Sequence, residues 1–208
     1  MDGSLMAVTP NYSWPVPVNT DYVKDGAEAI KDLGDAIDAT VFGLPAPASG
    51  LTLVSATTIG TAVSSVSVND VFSATYDNYR ILLTSTGSPA AELRLRYRVS
   101  GADNTVANYD NQNLYASATT ITAARTSLQT STTVGSTGNN FQTPFAVDIF
   151  NPFIAKTTLH MSNNSQNGDV LFFVGGRFSP TTSFTGFTIF PASGTITGGD
   201  IRVYGYQN

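Results

Sequence analysis

From residue 51 to the C-terminus, apolar side chains recur at every second position in short runs, and none of these runs keeps the three-to-four spacing of a helix. A period of two places alternate side chains on opposite faces of an extended chain, so these runs are expected to be strands. Tyr79, Ile81 and Leu83 alternate with Arg80, Leu82 and Thr84, and Leu93, Leu95, Tyr97 and Val99 share one face of the next run. Phe145, Val147 and Ile149 stand opposite Asp148 and Phe150. Thr185, Phe187 and Ile189 follow, and Ile201, Val203 and Tyr204 close the chain. Residues 170–174 are apolar on both faces, the mark of a strand covered on both sides. Between the runs fall turn or bulge residues: Asp77-Asn78, Ser100 to Asp103, Asn151-Pro152, Asn163-Asn164, Gly175-Gly176, Ser193-Gly194 and Gly198-Gly199. The expected fold is mainly β, an antiparallel jelly-roll-like β-sandwich of about eight to ten strands over residues 51–208. No repeat of 20–50 residues is visible, which argues against a propeller or β-helix.

The first fifty residues follow other rules. Residues 9–18 hold three of the ten prolines and the only tryptophan. Proline fixes φ and lacks a backbone donor, so residues 1–18 are expected to be extended, with Tyr12, Trp14, Pro15 and Val16 as an anchor. These side chains either pack back on the chain's own helix or dock into another protein. Over 19–43 the period changes. Asn19 or Thr20 can cap a helix, Val23, Ile30 and Ile37 recur every seven residues, and Gly26, Leu33 and Thr40 follow three positions later. A short coiled-coil-like helix is expected there, with Val23, Ile30, Leu33 and Ile37 as its oligomerisation seam. With Gly26 and Gly34 inside, it is marginal alone and needs a partner: further copies of itself, or the chain's own β-domain. Residues 44–50 read as a proline- and glycine-rich linker.

Composition removes much chemistry. The 208 residues contain no cysteine and one histidine, which leaves no thiolate nucleophile and no multi-histidine metal site within one chain. No cofactor, metal or catalytic residue is expected. No apolar run is long enough for a membrane span, and the first residues lack the basic-then-apolar order of a signal peptide. The net charge of −5 is uneven: residues 1–40 carry seven acids against two lysines, and the rest carry eight charges of each sign. A neutral body lacks the positive excess that nucleic-acid binding needs.

His160 is the only base a serine triad could use, yet it shares a polar face with Thr158 and Lys156 across 154–162, and no Gly-x-Ser-x-Gly elbow exists. Of the strand carboxylates, Glu92 and Asp148, the latter sits between apolar Ala146 and Phe150, where a bond to arginine or backbone is expected. Glu92, Arg94, Arg96 and Arg98 line one strand face at spacings of about 6.6–6.8 Å. That row suits an anionic glycan or lipid phosphate, a subunit seam, or an exposed face whose arginines pair with nearby acids. Residues 116–143 lack apolar alternation and are expected to form a long exposed loop, with Tyr109, Tyr115 and Phe141 as aromatics for a sugar or surface contact.

The order of these features resembles a family of tailed-bacteriophage virion proteins, mostly tail fibres and receptor-facing appendages. Tyr12-Ser-Trp-Pro15, Val23-Lys-Asp-Gly-Ala-Glu-Ala-Ile30, Leu33 and Ala36-Ile-Asp38 are similar to that family's attachment segment and helix. Phe72 to Arg80, Leu93 to Arg96, Ser100 to Asn104 and Ile201 to Tyr206 resemble its β-domain. The resemblance implies a homotrimer in the virion, held to tail or baseplate proteins (alternatively the capsid) by its N-terminus. It also implies an outward β-domain, expected to meet a host-surface glycan or receptor; the chain is expected to be non-enzymatic. A capsid decoration or head-fibre protein, and a glycan depolymerase, are the competing expectations.

Overall fold

The computed structural model describes residues 7–16, 22, 25–44 and 50–207, so the expected caps Asn19 and Thr20 and the seam residue Val23 lie outside it. The chain divides into two compact units, Met1–Ala48 and Ser49–Asn208.

In the first unit, residues 7–16 form a small hairpin rather than a simple extended arm. Strands β1 (Ala7–Val8) and β2 (Pro15–Val16) pair antiparallel, and Trp14 N–H donates to the Thr9 hydroxyl at 3.0 Å. Ser13 supports the turn with a φ of 56°. The helix α1 (Gly26–Gly43) follows, with Glu28 in its first turn, where a carboxylate opposes the positive end of the helix dipole. No residue of α1 is buried by its own chain.

The second unit is a sandwich of two antiparallel sheets. Its strands are β3 (Leu51–Thr58), β4 (Val66–Val68), β5 (Asn78–Ser88), β6 (Glu92–Val99), β7 (Ala102–Asp103), β8 (Tyr109–Ser117) and β9 (Thr120–Gln129). They continue as β10 (Thr132–Ser136), β11 (Thr143–Phe150), β12 (Thr158–Gln166), β13 (Val170–Phe178), β14 (Gly186–Pro191) and β15 (Thr195–Tyr206). One sheet has eight strands in the order β3-β15-β5-β11-β12-β13-β8-β9; the other runs β10-β6-β14-β4, with β7 paired to β6. The period-two runs point one face inward as expected. Ile81, Leu83, Phe145, Val147, Ile149, Ile201 and Val203 meet Leu93, Leu95, Tyr97, Phe187 and Ile189 between the sheets. Tyr97 stacks on Tyr109 and on Phe184, the latter centred 4.7 Å away, and Phe178 meets Tyr109 and Phe184 edge-on in this core.

Four expectations are corrected. Residues 116–143 are not one exposed loop: they carry β9 and β10. The first is an edge strand exposed along nearly its whole length, and an uncovered strand needs no apolar alternation. The second is buried but polar, because it packs over Asn111 of β8 and over His160 and Asn164 of β12. Asn163-Asn164 and Gly175-Gly176 lie inside β12 and β13 rather than in turns. Gly176 is needed there because a Cβ would overlap the His160 ring and the Asn111 side chain. In β12 the alternation is right but the buried face is the other one: Thr158, His160, Ser162 and Asn164 point inward, while Leu159 and Met161 are exposed. Residues 170–174 are covered on one side only, since Leu171 and Phe173 stand open to solvent.

Candidate functional site

Strand β6 lies between β10 and β14, so its outward row of Glu92, Arg94, Arg96 and Arg98 is central to the smaller sheet. The structure uses most of that charge internally. Arg98 is clasped by Asp103, by the Gly101 carbonyl, by Asn69 Oδ1 at 2.8 Å, by Ser67 Oγ at 3.0 Å and by Thr188 Oγ1 at 2.7 Å. It thereby ties β4, β6, β7 and β14 together. Arg94 donates to Glu92 through Nε at 3.2 Å and Nη2 at 2.8 Å, and the other Glu92 oxygen accepts from Thr133. Arg96 lies over the Phe190 ring at 4.4 Å and donates to the Thr130 carbonyl at 3.1 Å. Among the described residues it alone of the three arginines has no carboxylate partner.

The three expected contact aromatics part company. Tyr109 is fully buried and is not a surface residue: its hydroxyl accepts from Tyr97 N–H at 3.1 Å and donates to the Asn104 carbonyl at 3.0 Å, and burial pushes its phenol pKa up. Tyr115 is half-buried and stacks on Phe172 at 5.4 Å. Phe141 is half-buried against Gly138, where a Cβ would overlap its ring.

His160 is sealed under β10. Thr132 donates its hydroxyl proton to Asn111 Oδ1, so His160 Nε2–H must donate to Thr132 Oγ1, at 3.1 Å. Among the described residues Nδ1 is then a bare acceptor, buried and without a partner, and the hydroxyls of Thr158 and Ser162 beside it in β12 have none either. Burial pulls the His160 pKa down to about 4. Among the described residues no serine–histidine–acid arrangement forms around it. Asp148, on the larger sheet, accepts from the Tyr206 hydroxyl at 2.6 Å and lies 3.8 Å from Arg80, while Glu92 is on the smaller sheet. Among the described residues no cluster of three or more potential metal ligands occurs, and no helix is long and apolar enough to cross a membrane.

The outward face of the eight-stranded sheet was not singled out by any motif. Register places Leu82, Ala146, Asn163, Phe173, Leu114 and Ala123 in one row across six strands. Flanking rows add Met161 on one side and Leu171, Ala116 and Ile121 on the other. Leu82, Leu114, Leu171, Phe173, Met161 and Ile121 are 39 to 72% exposed. Among the described residues, cavities open on this face at several places. One of about 470 Å³ lies around Leu82, Pro144, Ala146 and Leu171, and one of about 350 Å³ beside Thr84, Asp200 and Arg202. Another, of about 300 Å³, is floored by Gly175 and Gly176 and rimmed by Arg125, Arg177 and Asp110. The signal available in sequence was the doubly apolar run 170–174.

In the N-terminal unit Trp14 is half-buried and its indole N–H donates to the Thr40 hydroxyl of α1 at 2.8 Å. Tyr12, 60% exposed, stacks on Trp14 at 5.1 Å, and Pro15 and Val16 are half-buried. The anchor segment therefore packs back on its own helix. Of the seam, Leu33 and Ile37 are half-buried and Ile30 is 66% exposed. No protein-family model matches this chain, and no curated protein is significantly similar to it.

Proposed function

We propose that this protein is a structural, non-enzymatic component of a tailed-bacteriophage particle, a short homotrimeric tail fibre. Residues 9–18 attach it to the virion, 19–43 trimerise it, and 51–208 meet a host-surface glycan or receptor. The observation that carries this reading is α1. An 18-residue helix with Gly34 in its interior is not stable by its own hydrogen bonds, and the single chain fully buries none of its side chains, leaving Leu33 and Ile37 only half-buried. Ile30, Val41 and Phe42 are 66, 58 and 91% exposed. Such a helix is completed by copies of itself, as its seven-residue spacing suits. A non-catalytic role is supported by a histidine closed off under β10 and by carboxylates paired with arginines on separate sheets. The test is gold labelling of the protein on intact particles together with adsorption competition by the purified chain. Label at the tail and blocked adsorption are the expected results. Label on the capsid would make it a head fibre, and absence from particles would overturn the reading altogether.

A further inference from the structure

Strand β13 carries two glycines in a row, and the fold needs only one of them. Gly176 faces inward, where a Cβ would overlap the His160 ring. Gly175 faces outward on the eight-stranded sheet, and a Cβ built on it meets nothing within 4 Å. Its φ is not positive, and the register runs unbroken from Met161 through Gly175 to Gln112, so neither a left-handed turn nor a bulge calls for glycine there. Among the described glycines inside strands it is alone in this. A glycine in mid-strand costs backbone entropy and loses side-chain packing. Where the protein's own geometry does not require one, the remaining reason is the close approach of a ligand.

Gly175 and Gly176 floor the hollow of about 300 Å³, at the lower end of what holds a small ligand. Register sets Arg125 beside Gln112, and Arg177 between Asp110 and Leu159, around that floor. Asp110 is already engaged: one carboxylate oxygen accepts from Arg177 Nε at 2.8 Å and the other from Leu128 N–H at 3.1 Å. Those two bonds, and then the charges of Arg177 and Arg125, hold its carboxyl below the ordinary carboxylate range. Arg125 makes no ion pair among the described residues, so the hollow has one guanidinium in excess. A guanidinium alone suits any anion. Beside it, however, stand acceptors: the Gln112 amide gives an N–H to the Ala124 carbonyl at 3.3 Å and keeps its oxygen open, and Asp110 has lone pairs to spare. These suit a ligand that also donates. Leu159, 45% exposed, and the glycine floor add an apolar wall. A carboxylate, hydroxyl donors and a flat hydrocarbon face occur together in an acidic sugar.

We propose that this hollow binds an acidic sugar residue of a glycan, a hexuronate, with its carboxylate on Arg125, its hydroxyls on Gln112 and Asp110, and its ring over Gly175. This rests on the reading that the β-domain meets a host-surface glycan, and adds the place and the sugar chemistry of that contact. The arginines of β6 suit the same chemistry by residue type but are engaged within their own sheet.

The probes are oligomers of galacturonate and of glucuronate, neutral glucose oligomers of equal length, and inorganic phosphate, titrated against the full-length chain by ligand-observed NMR. The uronate oligomers should bind at least tenfold more tightly than the neutral ones. Gly175→Val puts a side chain where the sugar ring lies, and should weaken uronate binding tenfold or more while the thermal midpoint holds or rises. Arg125→Gln removes the carboxylate's partner and should cost about tenfold. Arg202→Gln, at an exposed guanidinium elsewhere on the same sheet face, should change nothing. Equal losses in all three variants would mean diffuse charge attraction, and phosphate binding as tightly as uronate would mean a bare anion subsite. Either result overturns the sugar site, as does the absence of uronate binding. A lowered midpoint in Gly175→Val would give the glycine a structural reason and remove the ground for a ligand. Adsorption competition separates the two readings. If the chain blocks adsorption equally with and without Gly175→Val, the hollow is struck and the tail fibre stands. If the chain binds uronate through Arg125 and Gly175 but blocks nothing, the hollow stands and the host-surface reading is struck.

Discussion

Closed under β10, His160 keeps its imidazole neutral down to about pH 4, against 6.5 for an exposed histidine. Between those values the unfolded chain binds the extra proton, so stability is full above pH 6.5 and falls as pH drops toward 4. Roughly 3 kcal/mol is at stake over that window. His160→Gln retains a donor for Thr132 but cannot charge, and its melting temperature should fall less steeply between pH 6.5 and 4.5. Parallel curves for the two proteins would refute the assignment. The arginines differ in the same manner, by what surrounds them. Removing Arg98 strands a half-buried Asp103 and three side-chain acceptors, and Arg98→Ala should cost about 2 kcal/mol in urea unfolding. Arg94→Ala, at a partly exposed pair, should cost less than about 1 kcal/mol. Equal losses would mean that Arg98 is no clasp.

At the scale of elements, α1 and β12 show two ways for a pattern to be completed from outside. The helix presents Ile30 to solvent, and Ile30→Asp is therefore harmless to a single chain but places a charge in the seam of a bundle. Light scattering should show assembly crippled while the cooperative unfolding of the β-domain stays unchanged; an intact mutant trimer would contradict the seam. Gly34 lies off that seam with open space around its Cα, so Gly34→Ala should stabilise the helix by about 0.8–1 kcal/mol and raise helix content in circular dichroism. Strand β12 was legible as an alternating strand, yet its polar row is the buried one. The reason is the segment 132–137: the Thr132 hydroxyl and the backbone of Thr133, Ser136 and Thr137 bond His160, Asn164 and Gln166, while the Thr158 and Ser162 hydroxyls stay unpaired among the described residues. A polar row is stable inside when such partners meet it.

On the proposed reading the two units of the molecule carry different work. Trp14 is held by Thr40 yet only half-buried, and the ring stacked on it, Tyr12, is open, so the pair can still meet a partner. Trp14→Ala should lower the number of copies per virion while cell binding by the β-domain persists. Thr40→Val removes the internal hydrogen bond but keeps the indole, and should incorporate normally. Loss of incorporation in both variants would locate the defect in the fold of the N-terminal unit rather than in an anchor.

The amino-acid order alone determined that residues 51–208 are antiparallel strands, that α1 precedes them, and which side chains of β5, β6 and β11 share a face. These are properties of local period, which survives without any partner. It did not determine the fate of Tyr109, an aromatic beside a polar run that becomes core because Tyr97 and Phe178 converge on it. Nor did it show that Arg98 is bound by Ser67 of β4 and Thr188 of β14, or that Glu92 accepts from Thr133 of β10, strands that come from distant parts of the chain. Only the tertiary structure decided which face of β12 is inside and that one face of β13 is bare. A period of two divides a strand into two faces, but inside and outside are set by the element that packs over them.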